Sequence, residues 1–319
     1  MTHYVKNILK KVLVFSSIVL LVFIGAFAVL KCTVSTHSEV ELTGGDTASA
    51  ASSKKIGRQD ILLVGIGDSL THGVGGPGDE GGYVDMIQKK LNGTHNVSVM
   101  TRNYGKTGDR SDQIEKRIET DGKLQEDLKK ADVVTMTVGG NDLMQVMQRN
   151  FMALAKDSLD KVMPKEEADY DKKLTSLFAA VRKYNSRAPI FLISVYNPFY
   201  VYFPNLTQMQ KYTDEWSDIA RRHAEQDERM EYVDVCARLS EGQYYGHSKK
   251  KLMAGANSNL ADLSNRKLET SLNDKSERND YLSEKDHFHP NTKGYRYMTR
   301  ELFKVMEKNR SLWLEKGNE

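Results

Sequence analysis

Apolar, β-rich runs recur along the chain at residues 61–66, 97–103, 133–138, 190–196 and 232–235, most of them ending at Gly or Asn. The run 61–66 is apolar at nearly every position instead of alternating, as a strand buried on both faces should be. Between the runs, apolar residues return at helical spacing over 82–91, 112–118, 143–156, 169–184, 209–226 and 293–308. Strands that alternate with helices are joined by crossovers, so they pair in parallel and are covered on both sides. The pattern predicts an α/β fold, a three-layer α/β/α sandwich with a five-stranded parallel sheet, without internal repeats or a second domain.

One stretch follows neither period. Residues 12–30 carry no charge, and only Ser16, Ser17 and Gly25 interrupt the apolar side chains. A helix of about 20 such residues crosses a hydrocarbon core of about 30 Å. Lys6, Lys10 and Lys11 precede the run, which predicts a cytoplasmic N-terminus at 1–11 and everything after Lys31 on the outer side. Ala26-Phe27-Ala28 offers a cleavage site for a signal peptide. The apolar run continues past it, which favours an uncleaved anchor. Lipid modification of Cys32 is a third route, for which Lys31 is a poor preceding residue. All three place the protein at or outside the cell membrane. Residues 31–57, rich in Ser, Thr, Ala and Gly, read as a flexible linker, and 58–319 as the folded domain.

Charge then narrows the partners. Four of the 46 Lys and Arg residues lie within the first 31 positions, leaving 42 against 43 acidic residues in the rest. A nearly neutral domain lacks the basic excess that nucleic-acid binding requires. With only Cys32 and Cys236, the latter in a predicted strand, no disulfide framework is expected. Two stretches exceed simple crossovers: 144–173, read as an extension of the preceding helix into a helical insertion, and the polar 239–285.

Candidate chemistry gathers where the runs stop. The first ends at Gly67-Asp68-Ser69-Leu70, the carboxyl edge where open α/β sheets bind ligands. The same residues also make ordinary turns. Thr71 stands where a Gly-x-Ser-x-Gly elbow has its second glycine, so that motif is absent. The third run ends at Gly139-Gly140-Asn141-Asp142, where a helix cap and an oxyanion-binding amide are both open readings. The second ends at Tyr104-Gly105, whose N–H can face the site or simply turn the chain. Near the C-terminus, Asp286-His287-Phe288-His289 places a carboxylate three residues before an imidazole. Such a pair can orient a general base for a serine. His287 competes with His289 for that role, and the three side chains together raise the alternative of a metal site, although no His-Glu-x-x-His or further ligand motif accompanies them.

Taken in order, Gly67-Asp68-Ser69-Leu70, Gly105, Gly139-x-Asn141-Asp142 and Asp286-x-x-His289 resemble the four blocks of the SGNH (GDSL) hydrolase family, notably its membrane-anchored or secreted lipase/acylhydrolase-like members. The resemblance implies a Ser69–His289–Asp286 triad and an oxyanion hole from Ser69, Gly105 and Asn141. It also implies that Asp68 braces the nucleophile loop, and that no cofactor or metal takes part. The activity so implied is that of an extracytoplasmic serine esterase working through an acyl-enzyme on an acyl lipid or, alternatively, on O-acetyl groups of cell-wall glycans. A catalytically silent surface-binding domain is the reading from a different class. The aromatic stretch 196–204 after the fourth run is expected either to face the acyl chain or to pack beneath the insertion.

Overall fold

The computed structural model describes residues 58–76, 82–150, 153, 158–254 and 277–315. The proposed anchor, the linker and Cys32 lie outside them, and no helix among the described residues is long and apolar enough to cross a membrane. The chain runs β1 (Gln59–Gly67), the one-turn α1 (Ser69–His72), α2 (Gly82–Thr94), β2 (Val97–Gly105), α3 (Ser111–Thr120), α4 (Gly122–Lys130) and β3 (Val133–Thr137). It continues with α5 (Gly140–Arg149), α6 (Met163–Tyr184), β4 (Ile190–Ile193), α7 (Thr207–Gln226), β5 (Met230–Val233), α8 (Cys236–Glu241), α9 (Lys250–Ala254) and α10 (Thr292–Lys308).

The five strands form one sheet in the order β2-β1-β3-β4-β5, and every pairing is parallel. Side chains alternate between its faces. Ile61, Leu63, Phe191 and Ile193 pack with Tyr83, Ile87, Tyr295, Met298 and Leu302 of α2 and α10. Val64, Ile66, Val134, Met136 and Leu192 pack with α3 to α7 through Ile114, Leu128, Leu177 and Trp216. The result is the expected three-layer sandwich. The strand order changes direction at β1, with β2 on one side and β3 on the other, so a crevice opens above the carboxyl ends of β1 and β3. Gly67, the last residue of β1, pairs with Gly105 on one flank and Thr137 on the other.

Three local expectations need correction. The helix after β3 ends at Arg149 instead of running to 156, where the Asn150 amide donates to the Val146 carbonyl, and the charged stretch beyond joins α6, with Pro164 in its first turn. Residues 122–130 are helical, with the Asp121 carboxylate accepting from the Lys123 and Leu124 N–H groups. Cys236 is not in a strand: β5 stops at Val233, the Asp234 carboxylate takes the Cys236 N–H, and α8 begins there. Burial, with the nearby Asp214 carboxylate adding to it, pushes the Cys236 thiol up to about 12, so it is inert.

Candidate active site

Ser69 is the first residue of α1, lifted directly off β1 and 5 % exposed. The Asp68 carboxylate caps this turn by accepting from the Leu70 N–H at 2.9 Å and the Thr137 hydroxyl at 2.8 Å. Burial raises the pKa of Asp68, and these two hydrogen bonds offset part of the rise. Beneath it, Thr71 joins the Thr137 hydroxyl at 2.8 Å and the Tyr83 hydroxyl at 2.9 Å, so the nucleophile turn is pinned to β3 and α2. Asp68 thus braces Ser69 without touching its hydroxyl.

His289 arrives from the loop before α10. Its Nε2 lies 2.8 Å from Ser69 Oγ, and its Nδ1 lies 2.8 Å from Asp286 Oδ2. The other Asp286 oxygen accepts the Phe288 and His289 N–H groups, each at 3.0 Å. Burial pulls the Asp286 carboxyl upward, but the His289 ring and these N–H groups outweigh it and hold it below the ordinary aspartate value. His287 points elsewhere: its Nδ1 sits 2.5 Å from Glu277 and 3.1 Å from the Tyr202 hydroxyl. The competing histidine is therefore turned away from Ser69. Among the described residues, no group of three or more His, Cys, Asp or Glu side chains is arranged to hold a metal.

The oxyanion side departs from expectation at one residue. Gly105 donates its N–H to Asn103 Oδ1 at 2.9 Å, so it does not face the nucleophile. A Cβ at Gly105 would collide with the backbone of His72, which is the reason for a glycine there. Three residues on, Gly108 adopts φ +85°, a conformation suited to glycine, and its N–H has no protein acceptor among the described residues. The neighbouring Asp109 carbonyl accepts from Asn141 Nδ2 at 2.9 Å. This leaves the second amide proton of Asn141 for the cavity, which Asn141 lines together with Ser69. The N–H of Ser69, at the start of a helical turn, is likewise without a protein acceptor among the described residues. The sequence singled out Gly105 and not Gly108 because the strand ends at Gly105. The available signal was a Gly-Asp pair just before the α3 cap.

The cavity over Ser69 is walled by Val138, Val195, Pro198 and Phe288. It adjoins a second space that shares Val195, Tyr196, Pro198 and Phe288 and extends to Met144, Met147 and Met209. Tyr196 is the tie between the aromatic stretch and the catalytic loop, its hydroxyl donating to the Phe288 carbonyl at 2.6 Å. Val201 and Tyr202 are buried, so only the first residues of that stretch line the cavity.

The chain is 29 % identical over 254 residues to the uncharacterized protein YpmR of Bacillus subtilis, covering 79 % of this chain and 83 % of that one. It is 27 % identical over 179 residues to the spore germination lipase LipC of Bacillus licheniformis, covering 55 % and 78 %. A lipase from a goat rumen metagenome, Lip_vut3, superposes with a TM-score of 0.53 at 23 % identity, over 77 % of this chain and 97 % of that structure, which shows the shared fold. The model of the GDSL-like lipase/acylhydrolase family matches residues 66–297, a span that includes Ser69, Asn141, Asp286 and His289. With most of its length matched, the chain belongs to the GDSL-like lipase/acylhydrolase family and is a serine ester hydrolase.

Proposed function

We propose that the protein is an extracytoplasmic acylhydrolase that cleaves carboxylic esters through an acyl-enzyme on Ser69. The observation that carries this reading is the continuous relay Ser69 Oγ, His289 Nε2, His289 Nδ1, Asp286 Oδ2, with both contacts at 2.8 Å. His289 accepts the Ser69 proton as Oγ bonds to the ester carbonyl carbon. The tetrahedral oxyanion is met by the Ser69 N–H, the Asn141 amide and the Gly108 N–H, which takes the place first assigned to Gly105. His289 then passes its proton to the departing alcohol. Water, deprotonated by the same imidazole, releases the acid and restores Ser69. Asp286 stays ionised and holds the ring in the tautomer that leaves Nε2 free to accept.

The acid portion is read as an acyl chain ahead of acetyl, because a methionine-lined space shares Val195, Tyr196, Pro198 and Phe288 with the wall of the cavity over Ser69. Location outside the cytoplasmic membrane, anchored by 12–30, rests on the uncharged run and its preceding lysines.

The test is active-site labelling of the purified full-length protein with a fluorophosphonate, followed by peptide mapping, alongside turnover of p-nitrophenyl butyrate with and without EDTA. Adduct on Ser69 and EDTA-insensitive turnover, both lost in Ser69→Ala, are expected. Turnover abolished by EDTA, with Ser69 unlabelled, would replace this reading with metal chemistry. No turnover and no adduct would favour the silent binding domain.

A further inference from the structure

A second histidine–carboxylate pair lies beside the catalytic one and touches none of its reacting atoms. His287, between Asp286 and His289 in sequence, has φ +54°, the only positive value for a non-glycine among the described residues. A side chain in that conformation persists where its surroundings over-determine it. Here the surroundings are explicit. Glu277, its side chain 5 % exposed, places Oε2 2.5 Å from His287 Nδ1 and Oε1 2.8 Å from the Tyr202 hydroxyl. Tyr202 closes the triangle at 3.1 Å from His287 Nδ1. Glu277 also accepts the Asn279 N–H at 2.7 Å, which fixes the chain leading into the loop.

This triangle is placed to set the loop's geometry. The His287 N–H donates to the Ser283 carbonyl at 2.8 Å, while the Ser283 N–H returns to the His289 carbonyl at 2.8 Å. The left-handed turn at His287 lets the next two N–H groups, of Phe288 and His289, converge on one Asp286 oxygen. If His287 relaxed to negative φ, those N–H groups would diverge and the imidazole would swing off Ser69.

We propose that Glu277, His287 and Tyr202 form a latch of positioning residues that holds the Asp286–His289 loop in its catalytic shape. The proposal rests on the triad reading above and goes beyond it, since no latch residue touches Ser69 or the cavity over it. Loss of the latch acts on the acylation step through His289; of the loop only Phe288 reaches the cavity wall, so substrate capture changes less.

The test uses full-length wild-type, Glu277→Ala, Glu277→Gln, His287→Gly and Tyr202→Phe proteins. Two readouts are compared: hydrogen exchange of residues 283–289, and kcat with KM on p-nitrophenyl butyrate. Misplacing a general base by about 1 Å costs on the order of 100-fold. Glu277→Ala should therefore exchange faster in the loop and lose about 10- to 100-fold in kcat, with KM within about twofold. Glu277→Gln keeps an oxygen for His287 and should recover most of the rate. His287→Gly tolerates the positive φ but lacks the ring, and should behave like Glu277→Ala. Should Glu277→Ala fail to fold, Tyr202→Phe removes a single hydroxyl and should show the same changes, smaller in size. Unchanged loop exchange in the Glu277 and Tyr202 variants overturns the latch, as does wild-type kcat in His287→Gly. Exchange is read independently of turnover, so an inactive wild type would count against the esterase reading and leave the latch to stand or fall on its own signal.

Discussion

Asn141 is aimed by Asp109: its amide donates to the Asp109 carbonyl at 2.9 Å, and the Asp109 carboxylate is in turn gripped by Arg117 Nε at 2.6 Å. The same guanidinium donates to the Gly67 carbonyl and to the Tyr104 carbonyl, each at 2.9 Å. A single side chain from α3 thereby ties together the ends of β1 and β2 and the loop carrying Gly108. The oxyanion hole proposed above would rest on this planar fork.

Arg117→Ala leaves the Asp109 carboxylate, 5 % exposed, with the exposed Lys106 ammonium at 4.0 Å as its remaining cation among the described residues. Breaking a largely buried pair from one side costs about 3 kcal/mol or more in stability. Melting temperature and kcat should both fall. Arg117→Lys should not restore the rate, since one ammonium cannot span three in-plane acceptors. Because the effect on rate passes through the loop to Asn141, Arg117→Ala should add little in an Asn141→Ala background. Full additivity of the two rate losses would show that the clamp acts by another route.

Asn141→Ala removes a donor to the developing oxyanion and should lower kcat by about 100- to 1,000-fold, with only a small fall in melting temperature from the lost hydrogen bond to the Asp109 carbonyl. Gly105→Ala should do the reverse in kind. Its Cβ meets the His72 backbone, so thermal stability drops first and any loss of rate follows from displacement of α1. Circular dichroism melts alongside ester kinetics separate the two. A Gly105→Ala protein of wild-type stability with a large loss of kcat would return Gly105 to the oxyanion hole.

The contrast between these glycines marks how far the sequence could be read. Ser69, Asn141 and the Asp286–His289 pair were legible because each stands at the end of an apolar run or within a motif four residues long. The sheet was legible for the same reason, as β1 and β3 are buried on both faces. Gly108 was not, since its role depends on a backbone angle and on the approach of Asp109 to Asn141 across 32 positions of sequence, and neither leaves a periodic trace. Helix α4 escaped because Leu124 and Leu128 are its only buried positions, too few to establish a period beside the Asp121 cap. Arg117 looked like any charged residue on an amphipathic helix, and only its three acceptors give it a function.

Asp286→Asn tests the second link of the relay. The amide keeps the size of the carboxylate but cannot hold the imidazole in the required tautomer, and kcat should fall by on the order of 1,000- to 10,000-fold. Stability gives an independent reading. The native Asp286 pKa lies below its unfolded value, so the ionised group stabilises the fold at pH above about 4, and that contribution is lost as pH falls through the native value. The gap in unfolding free energy between wild type and Asp286→Asn should therefore be widest near neutrality and close below about pH 4. Denaturant melts across that range measure it. A gap that persists undiminished at low pH would mean the carboxylate is not stabilised by its partners.

The methionine-lined space beside Ser69 makes the acyl-chain reading quantitative. Each methylene buried contributes about 0.8 kcal/mol, or about fourfold in kcat/KM when the chain is held in the transition state. Over p-nitrophenyl acetate, butyrate, hexanoate and octanoate, kcat/KM should climb at roughly that rate and level off when the space is filled. Met144 on α5 is half-buried at the wall of that space, whereas Met147 is 1 % exposed and part of the core. Substitution at Met144 is therefore the less disruptive way to shorten the space. Met144→Trp should flatten the series, lowering the octanoate-to-acetate ratio at least tenfold, because the added indole occupies the volume the distal methylenes need. A wild-type series that is flat, or that peaks at acetate, would instead favour O-acetyl groups as the substrate and make the methionines simple packing.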